Sequence, residues 1–217
     1  QQTNRYEKNK IKFKLSLFME IEKNFVFDTY DKIAHHFNDT RHYKWKWISD
    51  FVEELNKHEN KNVLDLGCGT GLIGSEVKRF ASYLEGVDLS KSMIEQAEQK
   101  NIYDRLITSD INAYLAKTSL DFDCIMAADV FIYLGDLSET FQLIKAGKKR
   151  PGKLAFSTEH LETGLFKLER SGRYAHSKHY IVSLCSQLGF ALSHFSTIKL
   201  RKDKAAFLTG GLYIVDF

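Results

Sequence analysis

A buried-strand pattern, Val63-Leu64-Asp65-Leu66, runs straight into Gly67-Cys68-Gly69-Thr70-Gly71 and then into a helix-forming stretch, LIGSEVKRFA, at 72–81. Nothing else in the chain constrains its fold as tightly. Three alternate glycines let the backbone turn sharply and approach a ligand closely at a helix N-terminus, so strand, turn and helix form one stacked unit. The alternation then repeats. Strands are expected at 84–90 (LEGVDLS), 106–111 (LITSDI), 122–130 (FDCIMAADV) and 153–159 (KLAFSTE), with helices at 92–100, 113–116 and 138–145. The one proline, Pro151, falls with Gly152 in the turn before the last of these strands, where its missing amide costs nothing. Such alternation predicts an α/β domain, doubly wound, with a mostly parallel sheet covered on both faces. The end of the chain differs. A helix near 179–188 leads to FALSHFSTIKL (190–200) and AFLTGGLYIVDF (206–217), which predict an antiparallel pair finishing the sheet.

The first ten residues are polar and aperiodic, and residues 1–24 read as a flexible arm or the start of a helical cap. From Asp28 to Asn56 apolar residues recur at helical spacing, which predicts two amphipathic helices. Residues 25–217 are read as a single domain. With 217 residues, 43% of them hydrophobic and 27% charged, one core needs neither disulfide nor metal to hold it. Cys68, Cys124 and Cys185 are odd in number and widely spaced, which fits a reducing, cytoplasmic setting better than a disulfide framework. No apolar run approaches the ~18 residues of a membrane helix, so no membrane role is expected. The net charge of +3 hides a division: +4 over residues 1–14, −9 over 15–140 and +8 over 141–217. Such asymmetry fits a cationic ligand on one part and an anionic one on another, and equally fits solvated faces.

Two further acids accompany the glycine turn. Asp88 ends the second strand about 20 residues beyond it, the separation at which a carboxylate reaches ribose hydroxyls. Asp110 ends the third, where it could accept from an adenine amino group. Gly69 to Gly74 also satisfies G-x-G-x-x-G, the dinucleotide signature, but Asp65 just before the glycines would repel a pyrophosphate. A carboxylate there suits a cofactor carrying an ammonium and a sulfonium and no phosphate, which is S-adenosylmethionine (SAM). Isolated glycines of this kind are often only a tight turn. Three acids at three successive strand ends make that explanation insufficient.

VLDLGCGTG, GVDLS, SMIEQA and FDCIMAADVFIYLGDL closely resemble the successive motifs of class I SAM-dependent methyltransferases, over roughly residues 60–160. The resemblance implies a Rossmann-like, seven-stranded sheet and SAM as cofactor. It implies that Asp65, Gly67 and Gly69 face the methionine part, that Asp88 takes the ribose with Leu89 and Met93 near the adenine, and that Asp110 and Ile111 hold the adenine edge. Ala128 and Asp129 would lie where donor and acceptor meet. Residues 122–217, through AADVFIYLGDL, FSTE and SGRYAHS, look like predicted methyltransferases often fused to tetratricopeptide repeats, although no repeat occurs here. The segment from Tyr30 to Arg41, with Trp47, instead resembles the opening helix of tRNA wobble-uridine carboxymethyl methyltransferases. Those enzymes carry paired histidines after the fourth strand, where this chain has Val130-Phe131-Ile132-Tyr133.

Tyr30 and Arg41 could close over the cofactor and bind its carboxylate; a core aromatic and a surface ion pair explain them equally. Glu159 and His160 end the fifth strand, and Arg173, Tyr174 and His176 are expected in a loop before the penultimate helix. His176 and Glu159, with Asp129, are the candidate catalytic groups, and Tyr133, Arg173 and Tyr174 the candidate acceptor contacts. The plainer alternative is that Ser177 caps that helix while Tyr174 and His176 pack beneath it. The histidines lack carboxylate or cysteine companions at ligand spacing, so no metal is expected. KAGKKRPGK (145–153) and KLRKDK (199–204) are basic turns without interleaved aromatics, which gives nucleic-acid binding little support. The sequence thus points to methyl transfer onto a small molecule or another, unidentified acceptor. The alternatives are a tRNA enzyme and a catalytically silent methyltransferase-like binding module.

Overall fold

The computed structural model describes residues 61–203 and 206–217. The expectations for residues 1–60, including Tyr30, Arg41 and the two N-terminal helices, lie outside the described residues.

Strands β1 (Lys61–Leu66), β2 (Ala81–Asp88), β3 (Arg105–Thr108), β4 (Cys124–Ala127) and β5 (Lys153–Leu161) alternate with helices α1 (Leu72–Val77), α2 (Lys91–Glu98), α3 (Ile111–Leu115) and α4 (Ser138–Gly147). A short 3-10 turn, Phe131–Tyr133, follows β4. Then come β6 (Phe166–Leu168), β7 (Tyr174–Ser177), α5 (Lys178–Leu188), β8 (Ala191–Asp203) and β9 (Ala206–Asp216). The sheet runs β3-β2-β1-β4-β5, all parallel, and β9 pairs antiparallel with both β5 and β8. The mostly parallel α/β sheet with an antiparallel C-terminal end is the expected one.

Alternation of side chains along the parallel strands separates two apolar layers. Val63, Leu84, Met126 and Ala155 pack with Ile73 and Val77 of α1 on one face. Leu64, Leu66, Ile125 and Phe156 meet residues of α3, α4 and α5 on the other. Phe156 stacks on Tyr213 with ring centroids 5.0 Å apart and meets Phe141 edge-on at 5.6 Å. Strands buried on both faces explain the near-continuous apolar runs VLDL and CIMA.

The structure corrects the sequence reading in several places. Strand β3 ends at Thr108, so Asp110 does not end the third strand but caps α3, where its carboxylate accepts a backbone amide, and Ile111 opens that helix. Helix α1 ends at Val77, because Phe80 and Ala81 already belong to the turn and first strand residue that follow. SGRYAHS is not a loop: Tyr174–Ser177 form β7, hairpin-paired with β6. This pair raises the sheet from the seven strands expected to nine among the described residues. Glu159 pairs with Gly210 of β9 on one edge and with Ala175 of β7, so β7 lies on the opposite edge of β5. That is the edge β4 occupies as far as Phe156. The hairpin therefore fills the lane that β4 vacates, beyond its C-terminal end.

Candidate functional site

From β1 the chain order runs outward in opposite directions, through β2 to β3 on one side and through β4 to β5 on the other. Connections diverge at such a point and leave a crevice beyond the C-terminal strand ends. The glycine turn sits there. The amides of Gly67 and Cys68 both donate to the Val87 carbonyl, at 2.7 and 3.0 Å, which ties the turn to the end of β2.

The glycines serve different needs. Gly67 has φ +68°, and a Cβ built on it would lie 2.4 Å from Val130, so the segment that follows β4 packs directly against the turn. Gly69 has φ +52° and, among the described residues, nothing within 4 Å of a built Cβ, so it faces space that is open as far as these residues go. Gly71, at φ +79°, stands as the N-cap of α1 without a side-chain cap. The Gly69 amide donates to Oδ2 of Asp88 at 2.9 Å and the Ser90 amide to Oδ1 at 2.8 Å. Asp88 is thus locked at the rim of that open space by two backbone donors.

Asp65 is only 2% exposed at the end of β1. Among the described residues its one hydrogen-bond partner is the Tyr103 hydroxyl, which donates to Oδ2 at 2.8 Å. Burial pushes its carboxyl up to about 7; the Tyr103 bond pulls it down and the nearby Asp88 charge pushes it further up. Burial also raises Asp88, against the donors that hold it. Among the described residues neither acid is ion-paired. Glu85 makes the contrast: equally buried, it accepts from Tyr83 and Tyr114 at 2.7 Å each and has Arg105 at 3.5 Å, so its charge is accounted for within the fold. Burial and the two acids raise the Cys68 thiol well above its usual range, which leaves it no nucleophile.

The adenine-side expectations fall on helix starts. Ser90 caps α2 by accepting from the Met93 amide, with Met93 buried and Leu89 half-buried beside it. Asp110 caps α3 through Oδ1, which accepts from the Ala113 amide at 3.0 Å, and Ile111 begins that helix half-buried.

Beyond β4, Ala128 is half-buried and Asp129 adopts φ +55°, a left-handed backbone unusual outside glycine. Its amide donates to Ser157 Oγ at 2.8 Å, joining the end of β4 to β5. Glu159, two residues on, is buried on the same strand. The Arg173 guanidinium lies over the Tyr133 ring at 6.0 Å, and Tyr174 packs on Gly135, so the β6–β7 hairpin is bound to the segment after β4. His176 does not join this group. Its ring is fully buried, stacked on Tyr180, and Nε2–H donates to the Gly135 carbonyl at 2.8 Å. Burial lowers its pKa. This is the setting of a core histidine, and Ser177 caps α5 by accepting from the Tyr180 amide at 3.0 Å, as the plainer reading held.

The basic turn at 145–153 lies at the opposite, N-terminal edge of the sheet. Arg150 pairs with Asp121 and Asp123, Lys153 with Asp216, and Lys148 lies over the Phe217 ring. No cluster of three or more metal-ligating side chains occurs among the described residues. No helix among the described residues is long and apolar enough to cross a membrane.

Sequence reasoning missed Tyr103, Val130 and Ser157. None stands in a motif that names its role, and only the glycines at 67, 74 and 86, which make room for two of them, signal their presence.

The profile of a family described as methyltransferase domain matches residues 57–192. The chain is similar to the malonyl-(acyl-carrier protein) O-methyltransferase of Halalkalibacterium halodurans, 33% identical over 154 residues, covering 64% of this chain and 56% of that protein. It is also similar to the tRNA (carboxymethyluridine(34)-5-O)-methyltransferase of Xenopus tropicalis, 27% identical over 135 residues, covering 59% of this chain and 20% of that protein. The chain spans about half the length of the first curated relatives it matches. Among solved structures, the magnesium protoporphyrin IX methyltransferase of Synechocystis, with bound SAH, aligns with a TM-score of 0.69 at 16% identity, covering 90% of this chain and 99% of that one. At that identity the likeness concerns the fold.

Proposed function

The chain belongs to the family of methyltransferase domains, and from that premise we propose that it transfers a methyl group from SAM to a small-molecule acceptor. One observation carries the reading. Two carboxylates, the buried Asp65 and the half-buried Asp88, flank the approach to Gly69 without a cation among the described residues. A fold that buries such charges gains by receiving a cationic ligand between them. The Cβ-free approach at Gly69 and the absence of any described basic partner fit SAM and argue against a pyrophosphate.

In this reading Asp65 meets the ammonium group, Asp88 accepts from the ribose hydroxyls, and Gly67 and Gly69 let the backbone approach. Leu89, Met93, Asp110 and Ile111 border the adenine, and Ala128 the sulfonium side. Tyr30 and Arg41 are proposed as closing residues. When bound, SAM supplies a methyl carbon already activated for displacement. The protein has then to align an acceptor in line with that carbon and exclude water, which can supply up to ~10 kcal/mol. Asp129, Glu159, Tyr133, Arg173 and Tyr174 border the place where the acceptor would approach. Asp129 and Glu159 are the candidate carboxylates to take a proton if the nucleophile carries one. His176 is left to packing. The likeness to an O-methyltransferase acting on an acyl-carrier protein substrate supports an oxygen acceptor, and the finer resemblance to tetratricopeptide-linked methyltransferases leaves its identity open.

A tRNA acceptor is the second reading, favoured by the Tyr30–Arg41 segment and the match to the Xenopus protein. The basic turn at 145–153, however, faces away from the glycine turn and spends Arg150 and Lys153 on aspartates. Incubation with methyl-labelled SAM and separate pools of carboxylate metabolites, phenols and tRNA tests both. Label in a small molecule supports the first reading, label in tRNA replaces it with the second, and bound SAM with no labelled product in any pool supports a silent module.

A further inference from the structure

Tyr103 stands between α2 and β3, far along the chain from the glycine turn, yet its side chain ends inside the site. Its ring lies in a slot between the start of α1 and the middle of β2. A Cβ built on Gly74 would fall 2.2 Å from the Tyr103 hydroxyl oxygen, one on Gly86 2.8 Å from Cε1, and one on Gly71 3.0 Å from Cε2. The slot therefore exists because positions 74 and 86 lack side chains. Gly74, the last glycine of the G-x-G-x-x-G pattern, is accounted for by this ring and needs no dinucleotide. Gly86 is also the β2 partner of Asp65, so the ring leads the hydroxyl straight to that carboxylate.

We propose that Tyr103 is a positioning residue of the cofactor site, holding Oδ2 of Asp65 so that Oδ1 alone is presented to the ligand's ammonium group. The proposal rests on the SAM reading above. A buried carboxylate with one free torsion would otherwise present either oxygen, and its charge would lack a donor. Burial and the Asp65 charge keep the phenol protonated, so it can act only as that donor. The titratable groups facing Asp65 among the described residues are Tyr103 itself, Asp88 from β2, Cys68 from the turn and Cys124 from β4. Of these only Tyr103 favours the charged form of Asp65. Both Asp88 and burial oppose it.

Tyr103→Phe keeps the ring in its slot and removes the donor. Calorimetric binding of SAM, of its demethylated product SAH and of SAH lacking the α-amino group, between about pH 5.5 and 8.5, compares the variant with the unaltered chain. The expected result is a variant that melts close to the parent and binds SAM and SAH about tenfold more weakly at neutral pH, as loss of a bond to a charged group implies. The rise of affinity with pH should also move to higher pH, while the deaminated probe binds both proteins alike. Unchanged affinity and an unchanged pH profile would overturn the proposal, as would equal losses for all three probes, which would mean a general packing defect. If the unaltered chain binds neither SAM nor SAH, the cofactor reading itself fails. Should the variant not fold, the Tyr103 13Cζ resonance of the unaltered chain decides. It must shift with SAH and follow the Asp65 titration, and a resonance that does neither overturns the proposal.

Discussion

Gly67 and Gly69 stand two positions apart with the same left-handed backbone, and they should fail differently. An alanine methyl at 67 meets Val130 at 2.4 Å as well as the cost of its φ, so Gly67→Ala should lose about 2–5 kcal/mol in urea unfolding. At 69 the described residues add no clash to the backbone cost, roughly 1–2 kcal/mol, and the methyl enters the space over the turn. Gly69→Ala should stay folded and lose SAM affinity. Asp65 allows a pH test. Its pKa rises from 3.8 to about 7 on folding, so between those values the folded chain holds a proton that the unfolded chain has released. Its contribution to stability is full below the lower value and is lost as pH rises through the upper one. Asp65→Asn removes this term. Ligand-free parent protein should therefore lose more stability than the variant between about pH 4 and 8, measured by thermal melts; parallel curves would refute the buried charge.

The elements with strong local signals were legible. The glycine turn, the parallel strands and the final antiparallel pair all follow from apolar runs, turn residues and caps near in sequence. Ser177 is such a signal: its hydroxyl accepts from the Tyr180 amide and donates to the Gly164 carbonyl at 2.6 Å. Ser177→Ala should cost about 1–2 kcal/mol, read as a lower melting temperature with SAM affinity unchanged. The β6–β7 hairpin was not legible. SGRYAHS is short and polar without alternation, and β7 forms because Glu159–Leu161 of β5 extend past the end of β4 and offer it an open edge. That edge is a property of register, which only the assembled sheet defines. The same holds for the site. Its acids stand at strand ends that the sequence reveals, whereas Tyr103 and Val130 arrive through packing from distant segments, and the burial of His176 follows from a strand the sequence did not announce.

At the scale of the whole molecule the near-zero net charge resolves into local balances. The basic turn before β5 is paired with aspartates at the N-terminal edge of the sheet, while Asp65 and Asp88 stand at the C-terminal edge without an ion pair among the described residues. Arg150→Gln should accordingly leave SAM binding untouched and cost under about 1 kcal/mol, since its pairs are partly exposed. Binding at the other edge should instead depend on the two acids together. The most direct measurement is calorimetric titration of the chain with SAM and SAH, beside Asp65→Asn and Asp88→Asn. The account predicts saturable binding of both ligands by the parent at about one site per chain, weakened about tenfold or more in each variant. Absence of binding at millimolar SAM and SAH, or variants that bind as tightly as the parent, would contradict it.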